Sequence, residues 1–174
     1  MNDENHGSGV TLRRALGLVE YPRLVEVWRS AVDATHGFLA KEHRDAIESQ
    51  LASDYLPQVD LYVAELGGVP IGFAGVSHEK LEMLFVDALQ RGQGIGSLLL
   101  SFVVAEGRVT AVDVNEQNTQ AIGFYRRRGF AVVGRSALDD QGRPYPLLHM
   151  ERGSDIATGD AMEFCSRLTS GGEK

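Results

Sequence analysis

Hydrophobic and polar positions divide the chain into alternating strand-like and helix-like segments. Val10 to Ala15 alternates and predicts a first strand. From Tyr21-Pro22 the period lengthens. Leu24, Val25, Val27, Trp28, Ala31 and Val32 make one helical stripe, and Pro22 suits its first turn. Asp33 to Phe38 breaks the stripe, and a more polar helix is expected from about Lys41 to Tyr55, stopping before Pro57. Leu61–Leu66 and Ile71–Val76 flank Gly67-Gly68, a two-residue hairpin signal. His78-Glu79-Lys80 turns into Leu81–Val86, so three antiparallel strands should form a meander. A glycine-rich loop then leads into an apolar helix over about Ile95–Glu106 and a strand at Val109–Val114. Strand, loop, helix, strand makes those two strands parallel. A helix from Asn118 to Arg128 should end at Gly129, and Phe130–Leu138 with Pro146–Met150 reads as a last hairpin around Asp139–Arg143.

Composition narrows what such a chain does. It has 174 residues, 43% hydrophobic and 24% charged, which suits one folded domain. Met1–Gly9 is polar, acidic and aperiodic, so residues 1–9 read as a disordered head and not a secretory signal. Residues 153–174 are rich in Gly, Ser and Thr and read as a flexible tail, with a short helix over Ala161–Leu168 as the weaker alternative. The domain is therefore 10–152. Its apolar runs are too short to span a membrane. A net charge of −7 argues against nucleic acid, while a basic small molecule or a protein amine is compatible with it. The one cysteine, Cys165, makes neither an internal disulfide nor a metal site alone, so no metal is expected and the cytoplasm is the default location.

The chemistry concentrates at Arg91-Gly92-Gln93-Gly94-Ile95-Gly96-Ser97. A loop between a strand and a helix offers free backbone N–H groups and a helix dipole to an anion, and glycines let a phosphate approach. It is not a P-loop, because no Gly-Lys-Ser/Thr follows, and the glycine offsets do not fit a dinucleotide fingerprint. A tight turn without a ligand is the alternative for the loop taken alone.

This loop resembles the Arg/Gln-x-x-Gly-x-Gly/Ala motif of the GCN5-related N-acetyltransferases. The resemblance continues through Val112-Asp-Val-Asn115, Asn118, Ala121-Ile122, Phe124-Tyr125 and Gly129-Phe130, and the element order agrees from Val10 to Met150. Val32-Asp-Ala-Thr-His36-Gly-Phe-Leu39 and Gly142-Arg-Pro-Tyr-Pro-Leu-Leu148 look like a bacterial subgroup of small members. The resemblance implies an α/β fold (an α+β sandwich) whose mixed sheet of six to seven strands carries helices on both faces. It implies acetyl-CoA as co-substrate, direct transfer to a primary amine of a small molecule or protein in a ternary complex, and it allows a homodimer. A non-catalytic acyl-CoA sensor and a protein-interaction module are the rival readings of the same fold.

What the resemblance implies for individual residues can be set against their chemistry. The pyrophosphate would sit on the amides of Arg91, Gly92, Gln93, Gly94, Ile95, Gly96 and Ser97. The pantetheine would lie between strands Leu81–Val86 and Val109–Val114, with Leu84, Phe85 and Val86 lining the thioester. Tyr125 would protonate the leaving sulfur, a phenol of ordinary pKa about 10 against a thiol of about 8.5. Asn118, seven residues before it, would share its helix face and bond near the cofactor. For a base, Glu82 is expected on the face of Leu84 and Val86, His36 is the rival, and water alone is the third option. Trp28, His36, Phe38 and Tyr145, with Tyr62 and His149, are expected to wall the acceptor pocket, and Asp33 or Asp139 would attract a cationic amine. Each of these aromatic residues has a packing role as its alternative.

Overall fold

The computed structural model describes residues 9–107 and 109–153. The expectations for residues 1–8 and 154–174, including Cys165, lie outside the described residues. Among the described residues seven strands form one sheet: β1 (Val10–Arg14), β2 (Asp60–Leu66), β3 (Val69–Ser77), β4 (Lys80–Val86), β5 (Ala111–Asn115), β6 (Phe130–Ser136) and β7 (Leu147–Arg152). Four α-helices accompany them among the described residues: α1 (Tyr21–Thr35), α2 (Lys41–Gln50), α3 (Ile95–Gly107) and α4 (Thr119–Arg126). Strand order is β1-β2-β3-β4-β5-β7-β6, with β4 and β5 the parallel pair. The last hairpin folds back so that β7 enters between β5 and β6, a position that the pattern of the sequence does not show.

The sheet is covered on both faces. Tyr62 and Ala64 of β2, with Ala74, Leu81, Val112 and Met150, pack beneath Leu99, Leu100 and Val103 of α3 and Tyr125 of α4. Leu61 and Val63, alternating with them, pack with Phe73 against Leu24, Val27, Trp28 and Val32 of α1. This is why β2 reads as a continuous apolar run. Trp28 is 4% exposed and meets Phe85 edge-on, with ring centroids 6.4 Å apart, so it is a core residue and not the expected wall of an acceptor pocket. Tyr62 is likewise core, against Phe102.

Some boundaries differ for local reasons. The first helix does not break at Asp33 but continues to Thr35, and His36 closes it with its N–H on the carbonyl of Val32. The second ends as an α-helix at Gln50 and runs on through a wider π turn, Leu51–Tyr55, and a tighter turn, Leu56–Gln58, that absorbs Pro57. β5 starts at Ala111 and not Val109, because the N–H groups of Thr110 and Ala111 both donate to the carbonyl of Glu79.

Between β3 and β4 the register passes from Gly75↔Met83 to Val76↔Leu81, leaving Glu82 as the extra residue of a bulge. A Cβ at Gly75 would lie 2.8 Å from Cγ2 of Val59, which makes glycine obligatory beside that bulge. Gly75→Val should destabilise the fold by about 1–3 kcal/mol through overpacking. The midpoint of urea unfolding would measure this, and an unchanged midpoint would contradict it.

Candidate active site

β4 and β5 pair only at Lys80↔Ala111 and Leu81↔Val112, and then diverge although both strands continue. The opening leaves ladder groups that a ligand's amides can satisfy. A cavity of about 370 Å³ runs along this opening, bounded by Leu84, Phe85 and Val86 on β4, the glycine loop, α4 and the end of α1.

The loop forms one end. Asp87 organises its approach: its carboxylate accepts from the N–H of Leu89 at 3.1 Å and from Ser30 Oγ at 3.1 Å, and it pairs with Arg23 at 2.9 Å. Those partners hold its pKa below the ordinary aspartate value despite burial. Gly92 and Gly94 have φ of +77° and +80°, and a Cβ on either would point into open space. The bare backbone therefore faces the cavity just where the first amides of α3 lack helical partners. Arg91, Gly92, Gly94, Ile95, Gly96 and Ser97 all line it, whereas Gln93 does not.

Cations gather at the same end. Arg91, Arg127 and Arg128 line the cavity. Arg91 donates to Gln120 Oε1 at 2.6 Å, and Arg128 stacks 3.6 Å over the ring of Phe124 while donating to its carbonyl and to Ser97 Oγ. Burial and the neighbouring Arg127 lower the pKa of Arg128, the mark of a cation lacking a counter-charge. Arg127 and Arg128 are not among the residues expected from the sequence, although the run Arg126-Arg127-Arg128 before Gly129 marks a cationic end to α4.

α4 supplies the middle of the cavity. Asn118 stands before the helix as its cap, with its side-chain oxygen accepting from the N–H of Ala121 at 3.1 Å. It is therefore not on the helix face with Tyr125, yet both residues line the cavity. Tyr125 is 7% exposed, between Phe124 and Phe130. Its hydroxyl has no hydrogen-bond partner among the described residues, and the oxygen itself is open to the cavity and not sealed in the core. Burial raises its pKa well above the ordinary phenol value, with Arg128 pulling weakly the other way, so the phenol keeps its proton.

Thr35 and His36 close the far end. The His36 ring packs against Phe38 at 5.3 Å and Phe85 at 6.5 Å, and burial lowers its pKa from 6.5, keeping the imidazole neutral. Phe38 in turn meets Tyr145, whose hydroxyl bonds the N–H of Ala40 at 3.1 Å and Nδ1 of His43 at 2.6 Å. Tyr145 thus ties the β6–β7 connection to the α1–α2 connection. Among the described residues no carboxylate lines the cavity.

The other acidic candidates are engaged elsewhere. The bulge turns Glu82 away from Leu84 and Val86, against the expectation, and sets its carboxylate 3.6 Å from Lys80 Nζ. Lys80 also pairs with Asp113 at 2.7 Å, and Asp113 bonds His149, which reaches Ser136. This network joins the sheet at the foot of the opening. Asp33 pairs with Arg29 and Arg44, and Asp139 accepts N–H groups within its own turn.

A glycine loop at the end of β4, two diverging parallel strands and an unpaired phenol on α4 define an acetyltransferase of the GNAT class. The profile of the acetyltransferase (GNAT) domain matches residues 57–132. The chain is 46% identical over 132 residues to the peptidyl-lysine N-acetyltransferase YjaB of Salmonella typhimurium, covering 75% of this chain and 90% of that protein. It belongs to the GNAT acetyltransferase family and is an N-acetyltransferase. The solution structure of apo-form YjaB from Escherichia coli superposes with a TM-score of 0.76 at 40% identity, over 83% of this chain and 98% of that one. The fold is shared with the PaiA N-acetyltransferase of Thermoplasma acidophilum, solved in complex with coenzyme A, at a TM-score of 0.64 and 19% identity, over 82% and 98% of the two chains. Among the described residues no helix is long and apolar enough to cross a membrane.

Proposed function

We propose that the cavity binds acetyl-CoA and that the enzyme transfers its acetyl group to the ε-amine of lysine side chains in proteins. The observation that carries this reading is one cavity that joins bare loop amides and three arginines at one end, through the unpaired hydroxyl of Tyr125, to a neutral imidazole at the other. The donor set fits the co-substrate: cations and helix-start amides suit its phosphates, and the opened strands suit its amide-bearing arm. The acceptor class rests on the peptidyl-lysine N-acetyltransferases that the chain resembles at 46% and 42% identity.

Bound acetyl-CoA supplies the thioester whose acyl carbon the amine attacks. His36 takes the proton of the ammonium, because it is the neutral nitrogen base on the cavity wall, whereas Glu82 is turned to Lys80. The cations on the cavity wall lower the proton affinity of an entering lysine, which brings it closer to that of an imidazole. As the C–N bond forms and the C–S bond breaks, Tyr125 donates to the departing sulfur and recovers a proton from the new amide nitrogen. Its raised pKa makes complete transfer to an ordinary thiolate uphill, so Tyr125 shares its proton with the sulfur as the C–S bond breaks and does not ionise beforehand. Backbone N–H groups near Phe85 and Val86 stabilise the oxyanion.

A thermal melt with and without acetyl-CoA, paired with acetylation of blocked lysine peptides, tests the reading. Stabilisation of about 2.7 kcal/mol is expected at a hundredfold excess over Kd. No shift would overturn it, and a shift with turnover of small amines but never of peptides would replace the acceptor class.

A further inference from the structure

We propose that Thr35 is a positioning residue that fixes His36 in the tautomer with Nδ1 protonated, leaving Nε2 to receive the proton of the acceptor amine. The inference rests on the base role of His36 given above. Thr35 Oγ1 lies 2.7 Å from the carbonyl oxygen of Ala31 and 2.6 Å from His36 Nδ1. A carbonyl oxygen only accepts, so the single hydroxyl proton of Thr35 is committed to Ala31. The short contact to Nδ1 then needs a proton from the ring, which makes Nδ1–H the donor and empties Nε2. Nε2 has no hydrogen-bond partner among the described residues.

The arrangement follows from the length of α1. Because the helix runs on to Thr35, that side chain bonds back to the carbonyl four residues earlier, a habit of threonine at helix ends. His36 follows directly as the closing residue, and Phe38 and Phe85 brace its ring. Thr35, His36 and Ala31 all border the cavity, so the pair is presented to the ligand. The ionisable groups on the other walls are Arg91 from the loop, Tyr125 from α4 and Arg127 and Arg128 after it. Three of these four are cations, and they oppose an imidazolium until a proton arrives from the substrate.

The experiment is nitrogen NMR of the full chain labelled at histidine, with kinetics on acetyl-CoA and a blocked lysine peptide. Wild type should show His36 with Nδ1 protonated and Nε2 bare. Thr35→Val, which keeps the shape and removes the hydroxyl, should move the proton to Nε2. It should lower kcat roughly tenfold, short of the hundredfold or more lost with the base itself, and leave KM for acetyl-CoA unchanged. Thr35→Ser should restore both the tautomer and the rate. A wild-type Nε2–H, or an Nδ1–H that survives Thr35→Val, would overturn the role of Thr35. A His36→Gln variant with undiminished kcat would instead overturn the base role itself, whatever tautomer the spectra show.

Discussion

Replacing Tyr125 by Phe lowers kcat by about a hundredfold or more and leaves acetyl-CoA binding intact. The size is that of losing a general acid. The specificity follows from the structure, because the hydroxyl has no partner among the described residues and so holds nothing in place. For the same reason the change should alter stability by no more than about 1 kcal/mol, since no hydrogen bond is broken and no partner is stranded. The pH dependence has a definite sign. The folded pKa of Tyr125 lies above its ordinary value of 10, so burying the neutral phenol contributes stability that is complete below pH 10. That contribution is lost as pH rises and the unfolded chain ionises first. Urea unfolding above and below pH 10 should show an alkaline loss that Tyr125→Phe reduces. Single-turnover kinetics would separate the loss of the chemical step from binding, and a weakened acetyl-CoA affinity at unchanged kcat would refute the acid role.

Gly94→Glu abolishes acetyl-CoA binding and with it all transfer. Two effects act together. At φ +80° any side chain is strained, by about 1–2 kcal/mol, and the new carboxylate would repel the phosphates proposed to sit there. The fold should survive, because a Cβ at Gly94 meets nothing within 4 Å. The variant should therefore stay folded, melting several degrees below wild type without ligand, and show no acetyl-CoA stabilisation, against the 2.7 kcal/mol or so expected of wild type at a hundredfold excess. A variant that still gains stability from acetyl-CoA would move the phosphates off the loop. Thermal melts read beside isothermal titration decide between these outcomes.

Much of the candidate site was legible because it is local. Gly92, Gly94 and Gly96 signal their backbone by lacking a Cβ, and Asn118, Tyr125 and Gly129 sit at fixed offsets around one short helix. Glu82 was misread because a pleat of period two assumes an unbroken ladder, and the bulge opposite Gly75 adds a residue. Trp28 and Phe38 show the second kind of difficulty. Both are aromatic, close in sequence and equally suited to a pocket, but Trp28 is a core residue of α1, and Phe38, with its neighbour Tyr145, lies behind His36 and does not line the cavity.

The sequence by itself determined the strands of the meander, the parallel crossing from β4 to β5, the glycine loop and the helix carrying Tyr125, since each is set by hydrophobic period or glycine placement within a few residues. Only the tertiary structure decided that β7 enters between β5 and β6, that Asp113 and Glu82 both turn to Lys80, and that His36, just after α1, packs against Phe85 on the cavity wall. Those are contacts between residues far apart in the chain. They depend on how layers pack, and no local pattern of side chains encodes which distant partner a charge or a ring will find.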